Sequence, residues 1–387
     1  MKVLCLSHMY PSHVTPMYGS FVHNQVRFLQ NHVDIDVVSP VPWWPFPGAG
    51  RWSAYRGVAK AETLDGVHVD RPRYFGVPRR LLPDWTWKAF ARSVRPFLRL
   101  PPSLIHAHAA YPDGLAALEL GRHFGVKVVI TVHGSDVKTF PELGPGWRRR
   151  VAAALRGADG VIAVSRELAQ RVADFGVPAQ KIERIPNGVD SDLFALPQER
   201  AAGVREWRLL FVGRFNPVKG LEDLLHAMAI LRRQRTDIRL DLVGGDPYSG
   251  TAAPYVDLTR RLGLEDCVQF HGSIPMDQVP ERLAQADVFV LPSHSEGLPL
   301  ALLEALATGM PVVATRCGGP SEIVTERMGR LANVQDPAGL AQAIGATLDG
   351  YGDYDRAAIR ESTVAEYDYQ SVAARIHAFY ERIVDAG

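Results

Sequence analysis

The sequence predicts an α/β protein with two doubly wound, Rossmann-like domains. Short β-branched runs alternate with segments of helical spacing, which is the pattern of parallel strands joined by helices. The alternation runs in two consecutive series, and a polar stretch without periodicity at 191–206 separates them. Charge divides the same way: residues 1–190 hold 24 basic and 15 acidic side chains, and the remainder carries a net charge of −8. We therefore expect two domains with different partners, and an anionic acceptor or a membrane surface suits the basic one.

The first series predicts an N-terminal domain over 1–190. Its expected buried strands are VLCL at 3–6, IDVVSP at 35–40, LIHAH at 104–108, VKVVITVHG at 126–134 and GVIAVS at 160–165. Helical spacing separates them at 21–29, 114–124 and 148–155. The opening MKVLCLSHMYPS has an apolar core of only four residues, which indicates a first strand and not a signal peptide.

The second series predicts a C-terminal domain over 207–365, after a linker at 191–206. Its expected strands are RLLFVG at 208–213, RLDLVG at 239–244, CVQFHG at 267–272, VFVLPS at 288–293 and PVVATR at 311–316. A helix is expected at 221–233. The last helix, at about 366–387, has an apolar stripe that includes Val372, Ile376 and Phe379. We expect it to cross back and pack on the first domain.

Two aromatic segments of the basic half depart from this rhythm. Residues 41–60 hold three Trp and three Pro, and residues 77–102 interleave Trp85 and Trp87 with basic side chains. Those basic residues are Arg79, Arg80, Lys88, Arg92, Arg95 and Arg99. Such a mixture can lie at a membrane interface, and a packed loop followed by an amphipathic surface helix is the structural alternative. We expect Trp85 and Trp87 on the acceptor side, with peripheral membrane contact.

The remaining composition excludes several classes of protein. Three widely spaced cysteines without a CxxC motif support neither a disulfide framework nor a zinc site, and they fit a reducing cytoplasm. No apolar run reaches the length of a membrane span. No nucleic-acid recognition motif accompanies the basic charge. The expected location is therefore cytoplasmic, at the inner face of the plasma membrane if the peripheral contact holds.

The segment VFVLPSHSEGLPLALLEALATGMPVVAT at 288–315 carries the strongest functional signal. It reads as strand, loop, helix, glycine stop and strand, with Pro299 at the expected helix start and Gly309 at its end. Glu296 precedes the helix, and Glu304 lies in its second turn. The N–H groups of a helix start suit phosphate, whereas carboxylates accept hydrogen bonds from sugar hydroxyls. This arrangement predicts a nucleotide sugar as the ligand.

A second motif, FVGRFNPVKG at 211–220, places two cations at the end of a strand. Arg214 and Lys219 lie in the loop before the next helix. The motif is not a P-loop, because Lys219 is followed by Gly220 and not by Ser or Thr. Two cations at this position can neutralise a diphosphate. Solvated loop charges are the alternative, and the two-glutamate segment further along the chain argues against it.

With these motifs, the chain resembles the retaining family-4 glycosyltransferases of GT-B fold over essentially its whole length. Further matching motifs are Gly318-Gly319 and RIPNGVD at 184–190. The resemblance implies that the two Rossmann-like domains face a central cleft. It also implies a hexosyltransferase in which the C-terminal domain binds the nucleotide diphosphate-sugar and the N-terminal domain binds the acceptor. MYGSFVHNQVRFL at 17–29 resembles bacterial members that build cell-surface polysaccharides.

The resemblance assigns the donor-binding residues individually. Arg214 and Lys219 match the diphosphate clamp, and Glu304 matches the carboxylate that takes the ribose hydroxyls. Glu296 matches the contact to the donor sugar. The donor side is completed by backbone near the phosphates and the base, at Gly19, Gly272, Ile274, Gly297, Leu298 and Leu300.

On the acceptor side, His133 in TVHGSD follows a strand and resembles the family's active-site histidine. Asp136 could orient it or bind the acceptor, and a helix-capping aspartate beside a structural histidine is the alternative. His106 and His108 alternate along a strand. With no third ligand suggested, they are expected in the core or the acceptor loop and not at a metal.

The expected chemistry needs no cofactor, since the nucleotide diphosphate-sugar is a substrate. DxD, the metal-binding motif of GT-A enzymes, occurs at 34–36, 190–192 and 353–355, which shows how readily it arises by chance. Arg214, Lys219 and the helix start can carry the leaving group's charge, so no metal is expected. The resemblance implies retention at the anomeric carbon, with the departing phosphate taking the acceptor's proton.

Two other functions fit the same fold class. A sugar-nucleotide 2-epimerase shares the GT-B layout, and a non-catalytic carbohydrate-binding homologue would retain it without turnover. Neither accounts for the clamp together with the two glutamates. UDP-sugars and GDP-sugars are both candidate donors, and the expected acceptor is an anionic or lipid-linked glycan.

Overall fold

The computed structural model describes residues 1–44, 55–77, 81–98, 101–197, 206–245 and 251–385. The chain divides into two compact units, one of Met1–Asn187 with Tyr369–Gly387 and the other of Gly188–Asp368. Half of the aromatic segment at 41–60 (residues 45–54) lies outside the described residues, as do Arg79, Arg80, Arg99 and residues 198–205 of the expected linker.

The first unit is built on a sheet whose described strands run in the order β10-β9-β8-β7-β1-β2-β5-β4. All neighbours are parallel except β4 and β5. A separate parallel pair joins β3 and β6. The strands are β1 Lys2–Leu6, β2 Asp34–Val38, β3 Val41–Trp43, β4 Ala61–Leu64, β5 Val67–Asp70, β6 Arg73–Phe75, β7 Leu104–His108, β8 Lys127–Val132, β9 Gly160–Ala163 and β10 Ile182–Arg184.

The helices of this unit follow the strands. They are α1 Ser20–Leu29, α2 Pro83–Val94, α3 Leu115–Phe124, α4 Thr139–Glu142, α5 Pro145–Gly157 and α6 Arg166–Asp174. The chain proceeds from β1 to β2 in one direction along the sheet and returns to β7 on the other side of β1. The crevice beyond the carboxyl ends of β1 and β7 is therefore a switch point, where doubly wound sheets bind ligands.

The second unit is a parallel sheet in which the described strands run in the order β13-β12-β11-β14-β15-β16. These strands are β11 Trp207–Gly213, β12 Ile238–Gly244, β13 Val268–Gly272, β14 Val288–Leu291, β15 Val312–Thr315 and β16 Gly329–Ala332. The accompanying helices are α7 Leu221–Arg232, α8 Ala253–Arg261, α9 Val279–Gln285, α10 Leu300–Ala307, α11 Gly319–Ile323, α12 Pro337–Asp349 and α13 Arg356–Tyr367. Strand order reverses between β11 and β14, so their carboxyl ends form the second switch point.

The predicted α/β class and doubly wound architecture are confirmed. All ten predicted strands are present, with ends that differ by at most two residues. Helix α10 begins at Leu300, one residue after the expected start, because Pro299 keeps extended dihedral angles as its N-cap. Segment 41–60 was expected to lack regular structure, and this is wrong at its start, where Val41–Trp43 forms β3 with Arg73–Phe75.

The last helix, α14, spans Tyr369–Asp385 and belongs to the first unit. Val372, Ile376 and Phe379 join the hydrophobic core that lies under β1 and α1. Tyr369 stacks on Phe28 of α1 with ring centroids 5.1 Å apart. The core of the first unit therefore includes residues from the last helix of the chain.

Candidate functional site

At the switch point of the second unit, the loop after β11 presents the two predicted cations. Arg214 is exposed, and among the described residues its guanidinium has no ion-pair partner. Lys219 ends a short 3₁₀ turn whose start is capped by the Asn216 side chain, which accepts from the Lys219 N–H at 3.2 Å. Gly220 follows with φ +66°, and a Cβ there would lie 2.0 Å from the carbonyl oxygen of Pro292. Glycine thus allows the loop after β11 to lie against the loop after β14, and the His294 N–H donates to the Val218 carbonyl between them at 2.7 Å.

The loop after β14 brings Glu296 to Lys219. The Lys219 ammonium donates to Glu296 Oε1 at 2.6 Å, and both side chains are largely buried. The position of Glu296 is fixed by its backbone, whose N–H donates to the Cys317 carbonyl at 3.2 Å. Two motifs that lie 77 residues apart in sequence thus meet in one ion pair.

Helix α10 begins directly beyond Glu296. Gly297 and Leu298 lead into it, and within the described residues no side chain caps its N-terminus. The first N–H groups of a helix have no partner inside the helix, so those from Leu300 onward are available to an external acceptor. Such a start attracts anions through its aligned dipoles.

Glu304 lies on α10 and is only 7% exposed. In the part of the chain that the structure describes, its carboxylate forms no hydrogen bond or ion pair. Burial raises the pKa of Glu304 to about 7. An unpaired buried carboxyl group is costly, and it is ready to accept hydrogen bonds from hydroxyl groups.

The residues that sequence reasoning placed near the base lie at the other side of this sheet. Gly272 ends β13, and Ile274 follows it in the loop. Next to them, His271 Nε2 lies 2.6 Å from Asp241 Oδ1, and Ser273 donates to the Gly245 carbonyl. Backbone and side-chain hydrogen bonds therefore fix this loop beside β12.

In the first unit, His133 and His108 meet at the ends of β8 and β7. The nitrogens His108 Nδ1 and His133 Nε2 are 3.2 Å apart, and the rings stack with centroids 5.4 Å apart. Burial and the neighbouring histidines keep the pKa of His108 well below its usual range, and burial lowers that of His133 to about 3. Both rings are therefore neutral at physiological pH. Nδ1 of His133 is buried, with no partner in the described residues.

The second strand histidine, His106, is a core residue. Its Nδ1 lies 2.5 Å from the Tyr380 hydroxyl of α14, and its Nε2 lies 2.6 Å from the Thr131 hydroxyl. Among the described residues, no group of three or more His, Cys, Asp or Glu side chains is arranged to hold a metal ion. His108 is 1% exposed and packs on His133, so it can orient that ring.

Two further candidate site residues of the first unit, Asp136 and Gly19, lie against backbone groups. Asp136 is buried and accepts from the N–H groups of Gly134 at 2.9 Å and Ala110 at 3.4 Å, while burial raises its pKa. The bond from Ala110 ties the His133 loop to the segment after β7, where Ala109 has a φ of +109°, a strained conformation for a residue with a Cβ. Gly19 precedes α1 with φ +77°, and a Cβ there would lie 2.3 Å from the Met9 carbonyl.

Trp85 and Trp87 lie on α2. Trp85 is exposed, and the Lys88 ammonium lies 5.4 Å from the centroid of the Trp87 ring. The side chain of Arg150 on α5 donates to Asp84 at 2.8 Å and connects the two helices.

Several residues of the second site were missed from sequence. His294 Nε2 lies 2.6 Å from Asp223 Oδ2, which ties the Glu296 loop to the first turn of α7. Ser293 is fully buried and its hydroxyl has no partner in the described residues. Gly220 is the close-approach glycine described above. Only Gly220 carried a sequence signal, as the glycine that ends NPVKG. His294 and Asp223 pair across 71 positions, and Ser293 is an ordinary loop serine in the sequence.

Comparisons with known proteins agree on one family. Residues 18–193 match the family model described as "Glycosyltransferase Family 4", and residues 195–363 match the one described as "Glycosyl transferases group 1". The chain is 30% identical to the teichuronic acid biosynthesis glycosyltransferase TuaC of Bacillus subtilis, over 98% of this chain and 95% of the relative. It is 34% identical to a D-inositol 3-phosphate glycosyltransferase of Arthrobacter, over 80% and 79%.

Solved structures share the fold. Sucrose-phosphate synthase of Thermosynechococcus elongatus superposes with a TM-score of 0.82 at 24% identity, covering 100% of both chains. Anabaena HepE in complex with UDP-glucose gives a TM-score of 0.75 at 19% identity, covering 99% of this chain and 100% of that one.

Proposed function

The chain belongs to glycosyltransferase family 4 and has the GT-B fold, and from this premise we propose that it transfers a sugar from a nucleotide diphosphate-sugar to an acceptor hydroxyl with retention. The observation that carries the proposal is the meeting of Lys219 with Glu296 at the switch point of the second unit. Lys219, a cation that can bind phosphate, and Glu296, a carboxylate that can bind sugar hydroxyls, are then joined by a hydrogen bond.

In this proposal, the second unit stabilises the leaving group. Arg214, Lys219 and the uncapped N–H groups at the start of α10 take the charge that develops on the diphosphate. Glu304 accepts the ribose hydroxyls and Glu296 those of the sugar. Lys219 and Glu296 form an ion pair with each other in the structure, and in this proposal donor binding exchanges part of that ion pair for contacts to phosphate and sugar.

The first unit takes the acceptor. We propose that His133, neutral and oriented by His108, contacts the transferred sugar through a ring nitrogen. Relatives named for teichuronic acid biosynthesis and for inositol phosphate glycosylation support an acceptor in surface-polysaccharide or glycolipid synthesis. The structure of HepE with UDP-glucose supports a UDP-sugar as the donor to test first.

The test of this function is a donor screen. We expect one UDP- or GDP-sugar to be hydrolysed slowly without acceptor and to be consumed faster when a glycan acceptor is added. NMR of the product should show the anomeric configuration of the donor. Epimerised nucleotide sugar from donor alone would indicate the 2-epimerase, and no turnover of any donor would indicate a carbohydrate-binding protein.

Removal of divalent metal provides a second prediction. Since Arg214 and Lys219 can neutralise the diphosphate, we expect EDTA to leave the rate of transfer within about twofold of the untreated enzyme. The measurement is the initial rate before and after chelation, with added Mg²⁺ or Mn²⁺ as a control. A rate that falls to background with EDTA and returns with metal would contradict the cationic clamp.

We also propose that the outer surface of α2 and α5 contacts the membrane. Leu81 is 69% exposed, and Leu82, Trp85 and Leu143 are exposed as well. Exposed cations of the same two helices are Lys88 and Arg92 on α2 and Arg148 and Arg149 on α5. Apolar side chains next to cations suit the headgroup region of an anionic bilayer. In the described residues no helix has the length and apolarity of a membrane span, so this contact would be peripheral.

Vesicle flotation tests this surface. The wild-type protein should float with vesicles of equal parts phosphatidylglycerol and phosphatidylcholine, and the double variant Leu81→Ser, Leu82→Ser should lose most of that binding. Leu193→Ser removes an exposed leucine of the second unit and should leave binding unchanged. If both variants float to the same extent as the wild type, the surface of α2 and α5 is not the site of membrane contact.

A further inference from the structure

The first unit contains a cavity of about 540 Å³ at the switch point of its sheet. His8 and Tyr10 enter it after β1, Ser39 after β2, and Tyr111 after β7. This volume lies within the roughly 300–1,000 Å³ of small-molecule pockets, and doubly wound sheets bind ligands at this position. None of the predicted acceptor-side residues lines it.

The walls of the cavity combine aromatic faces with hydroxyl groups. They include the five tyrosines Tyr10, Tyr18, Tyr55, Tyr74 and Tyr111. The Tyr74 and Ser39 side chains are more than nine-tenths buried, and in the described part of the chain neither hydroxyl has a hydrogen-bond partner. Tyr74 is held in place by an edge contact with Phe90, at a centroid distance of 5.4 Å. Hydroxyl groups that line a cavity and have no protein partner can donate hydrogen bonds to a ligand and accept them from it.

The basic side chains that line the cavity already pair with protein carboxylates. Arg71 lines the cavity, and its guanidinium lies 2.6 Å from Glu62 Oε1. The ring of His8 lies 2.5 Å from the buried carboxylate of Asp113. Among the described lining residues, these are the only groups that could offer a positive charge. From the described lining residues, a carboxylate or phosphate on the ligand would gain no uncompensated cation in exchange for its lost hydration.

We infer that this cavity binds the acceptor's sugar residue and selects an uncharged, hydroxyl-rich ring over an acidic one. The inference rests on the proposed function and restricts the class of acceptor. The sugar residue that accepts the transferred sugar is neutral, even where the rest of the glycan or its lipid carrier is anionic. One wall of the cavity consists of Thr86, Tyr111 and Phe140, and the membrane surface proposed above lies on the outer side of this wall. The Tyr111 hydroxyl donates to Pro83 of α2, and the Tyr111 ring packs on Trp147 of α5.

The test measures glycoside binding to the full chain without donor, by ligand-observed NMR and calorimetry. The probes are the methyl glycosides of glucose, galactose and mannose, each paired with its uronic acid counterpart, which differs only at C6. We expect saturable binding of at least one neutral glycoside and at least about tenfold weaker binding of its uronide. Tyr74→Phe and Ser39→Ala should each raise the Kd of that glycoside about fivefold, the effect of one lost hydrogen bond.

Two variants make the result specific. Tyr354→Phe removes a tyrosine hydroxyl outside the cavity and should leave binding unchanged. Glu62→Gln leaves Arg71 uncompensated and should shift the preference toward the uronide, with thermal melting as the check on folding. The inference is overturned if a uronide binds as well as its neutral partner, if no neutral glycoside binds, or if Tyr74→Phe and Ser39→Ala bind like wild type. Because donor is absent, these outcomes are independent of whether the chain transfers sugar.

Discussion

Arg214→Ala is expected to lower the rate of sugar transfer by about a hundredfold or more, because it removes one of two cations from the developing diphosphate charge. Its exposed guanidinium forms no ion pair among the described residues, so the fold should be unaffected. Lys219→Gln should have an effect of similar size, and its amide can still donate to Glu296. Steady-state rates with the donor identified by screening, together with calorimetric binding of UDP and GDP, measure both effects.

Arg233→Ala is the matched control for this prediction. Arg233 is an exposed arginine at the opposite end of α7, and its removal should leave transfer and nucleotide binding unchanged. Circular dichroism and thermal melting should be the same for all three variants and the wild type. Wild-type rates in both Arg214→Ala and Lys219→Gln would exclude the diphosphate clamp, whatever the donor.

Glu304→Gln is expected to stabilise the protein and to impair nucleotide binding. The pKa of Glu304 is raised from 4.5 to about 7 in the folded chain, so the folded state binds more protons than the unfolded state between these values. Stability due to this group therefore falls as pH rises from about 4.5 to 7 and stays low above it. Replacing the carboxylate should raise the free energy of unfolding at pH 8 by up to about 3 kcal/mol, with little effect at pH 4.

Binding of nucleotide should change in the opposite direction. If the Glu304 carboxylate accepts the ribose hydroxyls, Glu304→Gln should raise the Kd of the bound nucleotide about tenfold at pH 8. The difference from wild type should shrink below pH 7, as Glu304 of the wild type becomes protonated. Denaturant unfolding and calorimetry at pH 4–8 test both effects, with exposed Glu326→Gln as the control. Equal affinity at pH 8 would remove Glu304 from the ribose site.

The fold could be predicted from sequence wherever the periodicity was unambiguous. Buried parallel strands read as continuous β-branched runs, and each of these runs is a strand in the structure. The hairpin β4–β5 was missed although Asp65-Gly66 is a typical two-residue hairpin turn, with positive φ at both residues. Its flanking strands are short and largely polar, so the turn was the stronger signal.

The site was predictable where local sequence carries its chemistry. Glu304 is the polar exception on α10, whose other residues from Leu302 onward are buried and apolar, and this contrast marks it without any structure. The contacts of Lys219 with Glu296 and of His294 with Asp223 could not be read in the same way, because each joins residues more than 70 positions apart. The tyrosine cavity draws on many separate loops, and none of them resembles a pocket alone.

The position of α14 has a consequence for synthesis on the ribosome. The ribosome translates Tyr369–Asp385 only after it has made the whole of the second unit. Until then the first unit lacks Ile376, Phe379 and Tyr380, and the apolar surface that they cover is open to solvent. Folding in order from the N-terminus therefore cannot finish the first unit before the second one. The nascent chain carries an exposed apolar surface for most of its elongation, and this surface is a natural binding site for chaperones.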